Sequence, residues 1–138
     1  MMKNDVGYLI KSINDKMTVK VDAELKQYNL TMSQCRVFTY LGSRGGQATQ
    51  KEIEVFLDVA HPTVVGIVSR MKQNGYVTCW TSEDKRNKNV KLTPRAEAID
   101  SEMQKKVQAS EEMLLAPLSP ENREHLRVLL SIVADHLA

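Results

Sequence analysis

His61-Pro62-Thr63-Val64-Val65-Gly66-Ile67-Val68-Ser69-Arg70-Met71-Lys72-Gln73-Asn74-Gly75 is the stretch on which the fold turns. Val64, Val68 and Met71 stand at i, i+4 and i+7 with Ile67 beside them, which makes one apolar stripe on a helix. Pro62 suits a first turn, where a missing N–H costs nothing, and Gly75 suits the position just beyond the last turn. The rest of the cylinder carries Thr63, Val65, Gly66, Ser69, Arg70 and Lys72, a short-sided set with cations at its end. Such a face fits insertion into a DNA major groove. Taken alone it also fits an ordinary packed surface helix, so the flanking chain has to decide.

Upstream, Thr49-Gln50-Lys51-Glu52 has capping-box spacing and opens a short helix through Ile53, Phe56 and Leu57. Asp58-Val59-Ala60 separates it from the helix at 61–74, giving the sequence form of a helix-turn-helix. Downstream, Tyr76–Thr81 is β-branched and aromatic, and Asn89–Thr93 alternates, so the two read as strands. Between them Ser82–Lys88 holds no apolar residue and carries Lys85, Arg86 and Lys88, which predicts a hairpin with a charged tip.

Long helices flank this centre. Val6, Leu9, Ile10, Ile13, Met17, Val21 and Leu25 predict a helix over residues 5–27. At 1.5 Å per residue it would be a rod of about 33 Å, with more apolar stripe than a small domain covers. Thr31 and Gln34 form a capping box for a helix through Val37, Phe38, Tyr40 and Leu41 that stops at the glycine-containing loop 42–46. Thr93-Pro94 starts a helix to about residue 115, and Ser119-Pro120 starts a last one to 137 with Leu126, Leu129, Leu130, Val133 and Leu137 on one stripe. The fold class is mainly α with a small β-hairpin wing: a winged helix-turn-helix over residues 31–93, with N- and C-terminal dimerisation helices in residues 1–30 and 94–138.

Charge divides along the same lines. Of the chain's 138 residues, 1–60 carry a net charge of +1, 61–95 carry +5 and 96–138 carry −4. A polyanion is drawn to the middle and repelled from the end. No apolar run reaches the roughly 18 residues of a membrane span, and the N-terminus has no signal-peptide core, so a cytoplasmic location is expected. Cys35 and Cys79 lack metal or redox spacing and read as small buried hydrophobes, with a redox-sensing role as the alternative. His61 is alone, and His125 and His136 are too far apart on one helix to share a metal. Without a phosphate loop, a nucleophile motif or a clustered Cys/His/Asp/Glu set, the chain does not read as an enzyme, and no cofactor is expected.

Asp84-Lys85-Arg86 followed by Val90-Lys91-Leu92-Thr93-Pro94 resembles the Asp-x-Arg wing signature and the V-x-L-T strand end of the MarR family of transcription regulators. His61-Pro62-Thr63-Val64, Ser69-Arg70-Met71 and Asn74-Gly75-Tyr76-Val77 resemble the family's recognition helix and its junction with the wing. The resemblance implies a homodimer, interlocked through the terminal helices, on a pseudo-palindromic double-stranded DNA operator. The helix at 61–74 would then enter the major groove, with His61, Pro62, Thr63, Val65, Gly66, Ser69, Arg70 and Lys72 at or near it. Arg86 would enter the minor groove, with Lys85 and Lys88 adding attraction. Ser33, Gln34, Thr49 and Gln50, at helix starts, would meet phosphates. Gly66 admits two explanations, close approach to DNA or tight packing on a neighbouring helix. Asp84 also admits two, a bidentate clamp on Arg86 or Arg70, or a cap of its own turn.

The resemblance further implies a repressor released by a small effector held between the dimerisation helices and the winged domain. Tyr8, Met17, Arg36 and Tyr40 are the residues to examine for it. The competing function is a winged-helix protein–protein or RNA-binding module, which would tolerate loss of Arg86.

Overall fold

The computed structural model describes residues 2–138. In chain order the elements are α1 (Val6–Leu25), a 3-10 turn (Lys26–Tyr28), α2 (Met32–Ser43), β1 (Gln47–Thr49), α3 (Gln50–Leu57), α4 (His61–Gln73), β2 (Val77–Thr81), β3 (Lys88–Leu92), α5 (Pro94–Leu115) and α6 (Pro120–His136). Local hydrogen bonds set most helix starts. Thr31 and Thr49 each form a complete capping box, with Gln34 and Glu52 respectively. Thr93 and Ser119 cap α5 and α6 ahead of a proline in the first turn.

Three features differ from the sequence reading. The first helix closes at Leu25, and the chain turns through Asn29 in the left-handed region at φ 57°. The second continues over Gly42 to Ser43. Most consequential is a third strand, β1, which makes the expected hairpin a sheet of order β1-β3-β2. All its pairs are antiparallel, with Ala48 opposite Val90 and Cys79 opposite Val90 on the other side.

The core is continuous. Val37, Phe38 and Leu41 of α2, Ile53 of α3, and Val64, Val68 and Met71 of α4 meet Tyr76, Val77, Val90 and Leu92 of the sheet side. Val21 and Leu25 of α1 and Ala96 and Met103 of α5 complete it. The inner ends of both long helices thus belong to the winged domain's own packing. Their outer parts do not: Val6, Leu9, Ile10 and Ile13 of α1 stay exposed, and no residue of α6 is buried.

Candidate nucleic-acid interface

The turn from α3 to α4 is set by Asp58, left-handed at φ 53°, whose N–H donates to the Glu54 carbonyl at 2.9 Å. His61 Nδ1 meets the Glu54 carboxylate across that turn, a pairing outside any metal-ligand cluster among the described residues. Residues 54 and 61 are brought together only by the turn itself. Within α4, Val64, Val68 and Met71 are buried, whereas Pro62, Thr63, Val65, Gly66, Ser69, Arg70 and Lys72 are exposed. A Cβ built on Gly66 meets nothing within 4 Å. Tight helix packing therefore does not explain this glycine, and its outer side is open.

The wing tip is a small self-capped turn. Ser82 and Asn87 close its base through the Ser82 N–H donating to the Asn87 carbonyl at 2.9 Å. The Asp84 carboxylate accepts from the Ser82 hydroxyl at 2.6 Å and from the Arg86 backbone N–H at 3.1 Å. Those bonds, the Ser82 hydroxyl first, hold its carboxyl below the usual range. The clamp on a guanidinium that the sequence allowed is absent: Asp84 caps the turn. Lys85 takes a left-handed φ of 59°, leaving Lys85, Arg86 and Lys88 exposed and, among the described residues, without an ion pair.

The helix starts fit phosphate less simply than expected. Gln34 and Gln50 are buried, Gln34 with its Oε1 accepting from the Thr31 N–H at 3.0 Å and Gln50 with its Oε1 unpartnered. The Met32 N–H already donates to Asp22 at 2.8 Å. Thr49 is engaged with Glu52, whose carboxylate also receives Arg44 at 2.7 Å. Backbone and hydroxyl donation from Thr49, more than Arg44, lowers the Glu52 carboxyl. Only Ser33 of the four has an exposed side chain, with Thr49 half-buried.

Of the four effector-site candidates only Tyr40 lines either of two cavities. Tyr40 stacks on Phe56, ring centroids 4.5 Å apart, beside an open cavity of about 390 Å³ lined also by Lys51, Glu52 and Val55. Met17 packs against the core, Tyr8 is half-buried on α1, and Arg36 is exposed on α2. A second cavity, of about 430 Å³, is lined by Gln27, Tyr28, Glu102, Lys105 and Lys106 and by none of the four. Cys35 is buried, and burial pushes its thiol up to about 12, with Asp22 adding to the shift. That is the opposite of a reactive thiolate. Cys79 is half-buried on β2. Two residues escaped the sequence reading: Trp80, exposed on β2, and Arg95, whose guanidinium lies 4.9 Å over the buried Tyr76 ring.

A short helix, a left-handed turn, a second helix with a lean polar face and a hairpin with a cationic tip define a winged helix-turn-helix. Residues 28–86 match the family model described as MarR family. The chain is 38% identical over 120 residues to the uncharacterized HTH-type transcriptional regulator YwoH of Bacillus subtilis (strain 168), covering 85% of this chain and 87% of that one. It belongs to the MarR family of transcription regulators. Its fold superposes on S. aureus MepR, solved as a DNA complex, with a TM-score of 0.89 at 24% identity, covering 97% of this chain and 98% of that one. Bordetella bronchiseptica BpsR, whose DNA binding is regulated by 6-hydroxynicotinic acid, gives 0.87 at 20% identity over 98% and 96% of the two chains.

Proposed function

We propose that this chain is a cytoplasmic, homodimeric repressor, without enzymatic activity, that reads a pseudo-palindromic operator and is released by a small ligand. The observation that carries the reading is the wing tip: three unpaired cations on a turn whose conformation is set by Asp84. A preordered basic tip loses little entropy on entering a groove, and a narrow A·T-rich minor groove attracts a guanidinium. Arg86 takes that place. α4 lies in the major groove, with Thr63 and Ser69 donating or accepting hydrogen bonds and Val65 against a thymine methyl. The open side of Gly66 supports a close approach there. His61, Pro62, Arg70, Lys72, Lys85 and Lys88 border the phosphates, with Ser33 and Thr49 further out. Gln34 and Gln50 serve through backbone position only, and Asp84 through the turn.

The dimer reading is supported by the uncovered apolar residues of α1 and α6, among them Val6, Ile13, Leu129 and Ile132. Residues 1–30 and 94–138 form the dimerisation region in their outer parts, while 31–93 read DNA. The ligand-regulated DNA binding of BpsR, which shares this fold, supports an effector.

Selection of bound duplexes from a random pool tests the proposal. The expected product is a two-fold symmetric site with half-sites about 10–10.5 base pairs apart. Binding should weaken with salt, and Arg86→Ala, which removes one cation from each protomer, should flatten the log–log salt slope of the dimer by about 1.8. An asymmetric or absent consensus, or an Arg86→Ala chain that binds as the parent does, would favour a protein- or RNA-binding module instead.

A further inference from the structure

Trp80 is the chain's only tryptophan, and it stands 42% exposed on β2. Strand alternation separates it from the core. Val77 and Cys79 point inward with Val90 and Leu92, while Thr78 and Trp80 share the outer face with Asn89, Lys91 and Gln47. Trp80 pairs with Asn89, and Asn89 pairs on its other side with Thr49, the residue that caps α3. Neighbouring pairs on a sheet stand about 5 Å apart, so this row crosses about 10 Å of sheet, from the wing's edge to the start of α3.

The vertical position is as informative. Thr81 pairs with Lys88 at the base of the tip that carries Arg86, and Trp80 is the next rung back. At about 3.3 Å per residue it sits about 7 Å behind the first tip residue. The minor groove is about 7.5 Å deep. A wing inserted to that depth therefore brings Trp80 level with the groove's mouth, where sugars and phosphates form the wall.

We propose that the Trp80 indole packs against the sugar–phosphate wall of the minor groove that receives Arg86, with its Nε1–H donating to a phosphate oxygen. The assignment rests on the reading of the wing as the minor-groove element. An aromatic ring with one N–H suits such a wall, apolar on its sugar side and anionic at its edge. A protein-docking surface is the poorer account. Trp80 is the only large apolar side chain on that face, whose other residues are polar or cationic, whereas protein sites show contiguous apolar patches.

The lone tryptophan makes the test direct. The full-length protein is titrated with the duplex that it selects from a random pool, following tryptophan emission and, separately, the anisotropy of labelled duplex. Emission should change and saturate at the midpoint given by anisotropy. Trp80→Ala should weaken binding about five- to tenfold with an unchanged salt slope, since no charge is lost, and Trp80→Phe should recover most of the affinity. Circular dichroism of both variants confirms that the exposed substitution leaves the fold intact. Binding with unaltered emission, or a wild-type affinity for Trp80→Ala, overturns this assignment alone. A parent chain that selects no duplex overturns the DNA-reading proposal, and this assignment falls with it.

Discussion

Replacing Asp84 by Asn and by Ala separates charge from geometry at the wing tip. One oxygen, Oδ1, accepts both the Ser82 hydroxyl at 2.6 Å and the Arg86 N–H at 3.1 Å. Asparagine keeps a side-chain oxygen at that position, so the turn and the left-handed Lys85 survive. Alanine removes both bonds at once. A hydrogen bond of this kind shifts an equilibrium by roughly two- to tenfold, and water competition places exposed ones near the lower figure. Losing two should therefore cost about five- to tenfold in DNA affinity for each wing of the proposed dimer, because the tip must be ordered again on binding. Asp84→Asn should match the parent or bind slightly more tightly at low salt, since an anion beside phosphate has gone, and that gain should vanish as salt is raised.

Anisotropy titrations at two salt concentrations read both effects. The pH dependence follows from the depressed Asp84 carboxyl. A folded value below the unfolded one, about 3.9, means the turn's contribution is complete above that pH and is lost only as pH falls through the lower folded value. Affinity assigned to the wing should then be flat from about pH 5 upward. If Asp84→Asn binds as poorly as Asp84→Ala, the negative charge itself is engaged and the turn-cap account is wrong.

Two further substitutions or treatments probe the frame behind the site. Tyr76→Phe removes a donor at 2.6 Å from the Tyr28 carbonyl while leaving the ring against Phe38, and should destabilise the fold by about 1–2 kcal/mol, seen as a lower urea midpoint at unchanged m; an unshifted midpoint would mean that the carbonyl is satisfied without it. A thiol reagent at pH 8 should label Cys79 in the folded protein and reach Cys35 only in denaturant, because burial holds the Cys35 thiol near 12. Equal labelling rates would reopen Cys35 as a redox sensor.

What could be read in the sequence was whatever a few neighbouring residues decide together. The boxes at Thr31 and Thr49 and the starts at Thr93-Pro94 and Ser119-Pro120 appear as expected, since each is a side chain bonding its own backbone within three residues. β1 escaped notice because Gln47-Ala48-Thr49 is a strand only by virtue of β3 alongside it. The role of Asp84 stayed open for a similar reason: its partner depends on Lys85 being left-handed, which composition does not reveal. Gln34 and Gln50 were expected outward as polar residues at helix starts. Gln34 does close the expected capping box, and satisfying the Thr31 N–H turns its side chain back into the fold, away from any phosphate. The apolar excess of the terminal helices, by contrast, was legible from counting alone, and it reappears as exposed Leu, Ile and Val on α1 and α6.

The hydrogen bonds behind α4 bear on how a ligand could act at a distance. The Tyr76 hydroxyl donates to the Tyr28 carbonyl at 2.6 Å, and the Asn74 amide donates to the Asn29 carbonyl at 3.3 Å. On the other side the Thr93 hydroxyl donates to the Gly75 carbonyl at 2.6 Å, and the Tyr28 hydroxyl reaches Glu102 on α5 at 2.8 Å. The junction between α4 and the wing is thus bonded to the elbow after α1 and to the cap of α5, and the elbow is in turn bonded to Glu102 further along α5. Rotating it against those helices would break three bonds, two of them half-buried beside the buried Tyr76 ring. A less costly coordinate would be the separation of two such units across the proposed dimer. Groove spacing on DNA is fixed by the helical repeat, so a ligand that shifted α1 or α5 by a small angle would move both recognition helices out of register together. Release would then require no remodelling of α4, and the tip turn capped by Asp84 would remain ready for the next encounter.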